Sequence, residues 1–190
     1  ITPLHYFPSC VVCKIFSGVV LNAVGLSGPG AASLLERENW QKISGAPWNL
    51  SFMSVLKTKS DRITELKEFV ALLKPTIHQW NASVGLEMNF SCPNAGIDPS
   101  SLINEVIEAL YIAGELHIPL QCKFNAIAPV AAVCEIANYS LCDAIVMGNT
   151  MPWGKRPDMI NWENLFGSDT SPLAHLGGGG LSGPPLRIVH

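Results

Sequence analysis

The stretch MNFSCPNAG, residues 88–96, ends an apolar run, VGLEM, and sets Cys92 between Asn89 and Asn94, with Ser91 and Pro93 beside it. A thiol so placed can serve as a nucleophile, a metal ligand, a proton acceptor, or a packed side chain with polar neighbours. Free cysteine ionises near pH ~8.5, so work as a base near neutrality needs surroundings that favour the thiolate. A cysteine hydrolase needs a general base beside its thiol. His5, His78, His117, His175 and His190 fall on expected helices, in loops or at the terminus, and none follows an expected strand. There is no HxH, HExxH or grouped-carboxylate motif to hold a metal. Cys10 and Cys13 have CxxC spacing, but no second ligand pair follows, and SCVVCKIF reads as a strand.

The elements that must position Cys92 follow from periodicity. Buried strands are expected at GVVLNAVG (18–25), NLSFMSV (49–55), SVGLEMNF (83–90), PLQCKF (119–124) and CDAIVMG (142–148). Helices are expected around AASLLEREN, from Asp61 to Trp80, from an Asp98-Pro99 N-cap and first turn to Leu116, and over PVAAVCEIANYS. Strict β-α alternation argues for parallel strands joined by crossovers. From Asn149 onward the alternation stops in a segment rich in Gly, Pro and Trp.

Ligands of parallel α/β folds sit at the carboxyl ends of the strands. Those ends carry Asn22 with Val24, Gly25 and Leu26; then Asn89, Ser91, Cys92 and Asn94; then Lys123 and Asn125; then Asn149 and Thr150. The second strand ends quietly at Ser54. Taken singly, asparagine and serine form turns and a strand-end lysine is solvated. Jointly, a rim of amides with one cation suits a planar polar ring whose edge alternates donors and acceptors.

The composition fits such a fold. Of the 190 residues 48% are hydrophobic and only 14% charged, as for strands covered on both faces. A net charge of −3 without a basic stripe excludes a nucleic-acid surface, and no apolar run approaches the ~18 residues of a membrane span. The six cysteines, Cys10, Cys13, Cys92, Cys122, Cys134 and Cys142, form no disulfide framework and read as reduced thiols of a cytoplasmic enzyme.

NFSCPN, together with LNAVGLSGPG, PLQCKF, GNT and GGGGLSG, resembles the FMN-dependent dihydroorotate dehydrogenases of class 1, in five blocks that keep the family's order from about residue 18 to 185. The resemblance implies a (β/α)8 TIM-barrel type of α/β fold with FMN at the carboxyl-end rim. It implies dihydroorotate contacts from Asn22, Val24, Gly25, Leu26, Asn89, Asn94, Asn149 and Thr150. Asn89 would bridge substrate and flavin, Lys123 would lie beside the flavin ring, and Gly180, Ser182 and Gly183 would approach the ribityl-phosphate chain. Cys92 matches the catalytic base, which removes a proton from C5 of dihydroorotate as hydride leaves C6 for flavin N5, giving orotate for pyrimidine biosynthesis. Cysteine in this position, in place of serine, points to the class without a membrane anchor. The implied partners are a dihydroorotate- or orotate-like molecule and a second copy or an electron-transfer subunit.

The pattern also departs from the family. No counterpart of the first barrel strand stands before residue 9, and Lys14 lies too near Asn22 to be the family's other active-site lysine. The chain ends at GPPLRIVH without the last two βα units and their second glycine loop. The expectation is therefore an incomplete barrel of about five or six βα units. It would form one domain over 1–190, a fragment of a longer protein, with 149–190 as a long rim loop. Two other functions remain open on the residues: a truncated, non-catalytic homologue acting in binding, and a cysteine hydrolase using Cys92.

Overall fold

The structure is a computed structural model, and it describes residues 9–26, 28–37, 40–91 and 98–188. In chain order its strands are β1 (Val11–Lys14), β2 (Val19–Asn22), β3 (Trp48–Phe52), β4 (Val84–Asn89), β5 (Leu120–Phe124), β6 (Ala144–Met147), β7 (Met151–Pro152) and β8 (Gly180–Ser182). Its α-helices are α1 (Ala31–Leu35), α2 (Lys59–Leu73), α3 (Pro99–Ala113), α4 (Val130–Ala137) and α5 (Trp162–Phe166). Two compact units result, one of residues 29–147 and one of residues 1–28 with 148–190.

The first of these units is a run of βα units. Strands β3, β4, β5 and β6 lie side by side in sequence order, all parallel, with α2, α3 and α4 as the crossovers. Helix α2 starts where Thr58 accepts a hydrogen bond from the Asp61 amide at 3.1 Å. Its buried stripe is Ile63, Leu66, Val70 and Leu73. The expected helix to Trp80 stops at Leu73, because Pro75 cannot continue the hydrogen-bond ladder. Helix α3 begins as read: Asp98 accepts from the Ser101 amide at 3.0 Å and Pro99 sits in the first turn.

Strands β3, β4 and β5 alternate. Trp48, Leu50 and Phe52, then Val84, Leu86 and Met88, then Leu120, Cys122 and Phe124 pack with the helices in one core. The intervening positions on the sheet's other face are Asn49 and Ser51, Gly85, Glu87 and Asn89, and Gln121 and Lys123. Over β3, β4 and β5 one face is apolar and the other largely polar, whereas strands covered on both faces were expected.

The second unit carries an antiparallel sheet in the order β1-β2-β8-β7. The strand expected at 18–25 forms over Val19–Asn22, but it pairs antiparallel with β1, from Val11↔Asn22 to Lys14↔Val19. The reason is the connection. Only Ile15–Gly18 separates β1 from β2, room for a hairpin, whereas a parallel partner needs a crossover of about a dozen residues. The segment 149–190, expected as a long loop, contributes β7 and β8 to this sheet as well as α5. A small aromatic core forms there from Trp153, Trp162 and Phe166, with ring centroids 4.8 and 5.2 Å apart.

Candidate functional site

At the carboxyl ends of the parallel strands, β4 closes on Asn89 and β5 carries Lys123, and these two are register partners on adjacent strands. The Asn89 side-chain oxygen accepts from the Ser91 amide at 3.1 Å and also from the Ser91 hydroxyl. That closes a turn off the strand, and the group Asn89 can offer a ligand is its amide N–H2, a donor. Asn125, expected at the same rim, is buried and uses its side-chain oxygen to accept from the Ile127 amide at 3.1 Å, a turn role. Cys92 and Asn94 lie outside the described residues.

Two residues of this face were missed at the level of sequence. Glu87 accepts a hydrogen bond from the Ser51 hydroxyl at 2.8 Å and pairs with the Lys123 ammonium at 3.4 Å. Only 12% of the Glu87 side chain and 25% of that of Lys123 are exposed. The signal was the alternation itself: in VGLEMN and LQCKF the polar letters fall on every second residue and share a face. Ser54, the quiet strand end, is buried, and its hydroxyl accepts from the Leu56 amide at 3.4 Å.

Behind this rim, between the sheet and α2 and α3, lies a cavity lined by Phe52, Ser54, Met88, Phe90, Leu102 and the Arg62–Glu105 pair. Its volume of about 50 Å³ holds a few waters, far below the several hundred Å³ of a site for a heteroaromatic ring.

In the antiparallel unit, Asn22 ends β2 and its amide donates to the Gly180 carbonyl at 3.4 Å. Val24, Gly25 and Leu26 follow it, and Leu26 is 40% exposed. The Asn149 side-chain oxygen accepts from the Thr150 amide at 2.7 Å. Gly180 and Ser182 belong to β8, in register with Asn22 and Val20.

The glycines here have a local reason. A methyl on Gly180 would strike the Thr150 side chain, and one on Gly183, at φ +114°, would lie 2.5 Å from the Gly18 carbonyl oxygen. Gly183→Ala is therefore expected to lower stability by about 2–3 kcal/mol, since backbone strain and overlap with a neighbouring main chain both act. Gly154→Ala, also at positive φ but with nothing within 4 Å, should cost only about 1 kcal/mol. Thermal unfolding of the two variants checks the difference.

No protein-family model matches the chain. It is 26% identical over 182 residues to the dihydroorotate dehydrogenase B (NAD(+)) catalytic subunit of Geobacillus kaustophilus, covering 90% of this chain and 51% of that protein. With the same subunit of Saccharolobus solfataricus it shares 27% over 195 residues, all of this chain and 57% of the other. With that of Listeria welshimeri it shares 25% over 189 residues, 96% of this chain and 55% of the other. The chain is thus weakly similar, at 25–27% identity, to dihydroorotate dehydrogenase B catalytic subunits. It spans about half the length of the curated relatives it matches.

The donor set of the parallel sheet is compatible with the FMN that the sequence resemblance implies. Lys123 and Asn89 are register partners on adjacent strands, and Glu87 on the same face is charge-paired with the lysine. Such a set suits a ring that gains negative charge. Gly180 and Gly183 are accounted for by their own packing. No helix of the described residues is long and apolar enough to cross a membrane.

Proposed function

We propose that this chain is part of a (β/α)8-barrel flavoprotein that oxidises dihydroorotate to orotate in the cytoplasm. The observation that carries the reading is the pairing of Asn89 with Lys123 at the carboxyl end of a parallel sheet, directly before the Ser91-Cys92-Pro93-Asn94 block, in a chain similar to dihydroorotate dehydrogenase B catalytic subunits. Bound FMN would supply the hydride acceptor. The protein's residues would do the rest: Cys92 takes the proton from C5, and Asn89 and Asn94 hold the edge of the substrate ring. Lys123 places a cation where reduction adds electron density. The resemblance further assigns substrate contacts to Asn22, Val24–Leu26, Asn149 and Thr150, and contacts with the cofactor chain to Gly180, Ser182 and Gly183. The relatives are named catalytic subunits of an NAD(+) enzyme, so the electrons are proposed to leave for NAD+ through a partner subunit.

The direct test uses protein purified with FMN. Visible flavin absorbance that dihydroorotate bleaches without oxygen is the expected result. Protein that stays colourless after incubation with FMN would remove this reading and favour a non-catalytic binding role.

A further inference from the structure

A carboxylate in the middle of a strand is costly to bury unless its charge is met. Glu87 is such a group, and what meets it comes from the strands on either side: the Ser51 hydroxyl from β3 at 2.8 Å and the Lys123 ammonium from β5 at 3.4 Å. Ser51 and Glu87 are register partners, whereas Lys123 is paired with Asn89, two residues further along β4. The lysine side chain therefore leans back diagonally across the sheet to reach Glu87. A lysine stem has four rotatable bonds and no fixed direction of its own.

We infer that Glu87, itself fixed by Ser51, is the positioning residue for Lys123: it sets where the ammonium sits on the sheet's polar face and how much net positive charge that place carries. The inference rests on the flavin reading for its functional consequence, while the pairing itself rests only on the three side chains. Glu87→Gln keeps the shape and an acceptor oxygen but leaves an uncompensated cation. A ring that becomes more negative on reduction should then prefer the reduced state more strongly.

The test has two independent arms. In protein without FMN, trace acylation followed by peptide mass spectrometry measures how readily the Lys123 amine reacts, with the exposed Lys67 as internal reference. Glu87→Gln should raise Lys123 labelling several-fold relative to Lys67, and Glu87→Asp should restore much of the protection. Ser51→Ala should raise it less, and this milder variant decides the question if Glu87→Gln does not fold. In protein loaded with FMN, Glu87→Gln should favour reduced over oxidised flavin by about tenfold, a rise of about 30 mV in the two-electron midpoint potential. Wild type that takes up no FMN overturns the flavin reading, and the tuning role with it. Wild type that binds FMN, with labelling and potential both unmoved in Glu87→Gln, overturns the positioning role alone.

Discussion

Replacing Cys92 by serine is expected to slow flavin reduction by dihydroorotate by about 10²–10⁴-fold, the range a positioned proton acceptor contributes. Cysteine ionises near pH ~8.5, so a modest bias from amide donors and a nearby cation suffices to make it a base at neutral pH. A serine hydroxyl is far less acidic and accepts the proton only weakly until hydroxide is plentiful. The residual rate of Cys92→Ser should therefore climb with pH across the range in which the wild-type rate has levelled off. FMN content should not change, because the substitution alters one atom of a side chain. Anaerobic single-turnover reduction, followed by the loss of flavin absorbance, separates this step from reoxidation. Undiminished reduction in Cys92→Ser would remove the base. A stable acyl adduct on wild-type Cys92 would mark a hydrolase instead.

The second large effect concerns stability. The Arg62 guanidinium donates to both carboxylate oxygens of Glu105, at 2.6 and 2.7 Å, and to the carbonyls of Leu56 and Lys57 at 3.0 and 2.8 Å. Both side chains are nearly nine-tenths buried, at 13% and 11% exposure. This fork joins α2 to α3 and fastens the turn between β3 and α2, just past Ser54. Arg62→Ala strands the Glu105 carboxylate among apolar neighbours and leaves two carbonyls short of donors. The expected loss is about 3–5 kcal/mol, read from the urea midpoint. The double variant Arg62→Leu with Glu105→Leu removes both charges and should lose much less, because no unpaired charge stays buried. Equal losses in single and double variants would mean that the fork's worth lies in its packing rather than in its charge. The exposed pairs Lys59–Glu108 and Lys74–Glu115 should by contrast be almost silent when broken.

How much of this was legible beforehand varies with the range of the interaction. The helix start at Asp98-Pro99 and the strands of the parallel sheet were readable, since a capping side chain, a first-turn proline and short apolar runs act over a few residues. The Thr58 cap of α2, three residues before the expected Asp61, was not read. The antiparallel pairing of β2 was readable in principle from the four residues separating it from β1, although the β-α alternation downstream argued for the parallel form. The strands contributed by residues 151–152 and 180–182 were not, because two- and three-residue strands have no period to detect and exist only through their partners.

The sequence by itself determined the chemistry on offer: a cysteine block bracketed by asparagines, a strand-end lysine and a chain poor in charge, with a distant likeness to dihydroorotate dehydrogenases. Tertiary structure alone decided which of these groups meet. Ser51, Glu87 and Lys123 are 36 residues apart at each step, and only a parallel register places them on three neighbouring strands of one face. In the sequence the glutamate sits inside VGLEM, read as an apolar run. In the folded sheet it turns away from the helices toward the polar face, where a lysine neutralises it, because side chains alternate across a strand and burial admits a carboxylate only with its counter-charge.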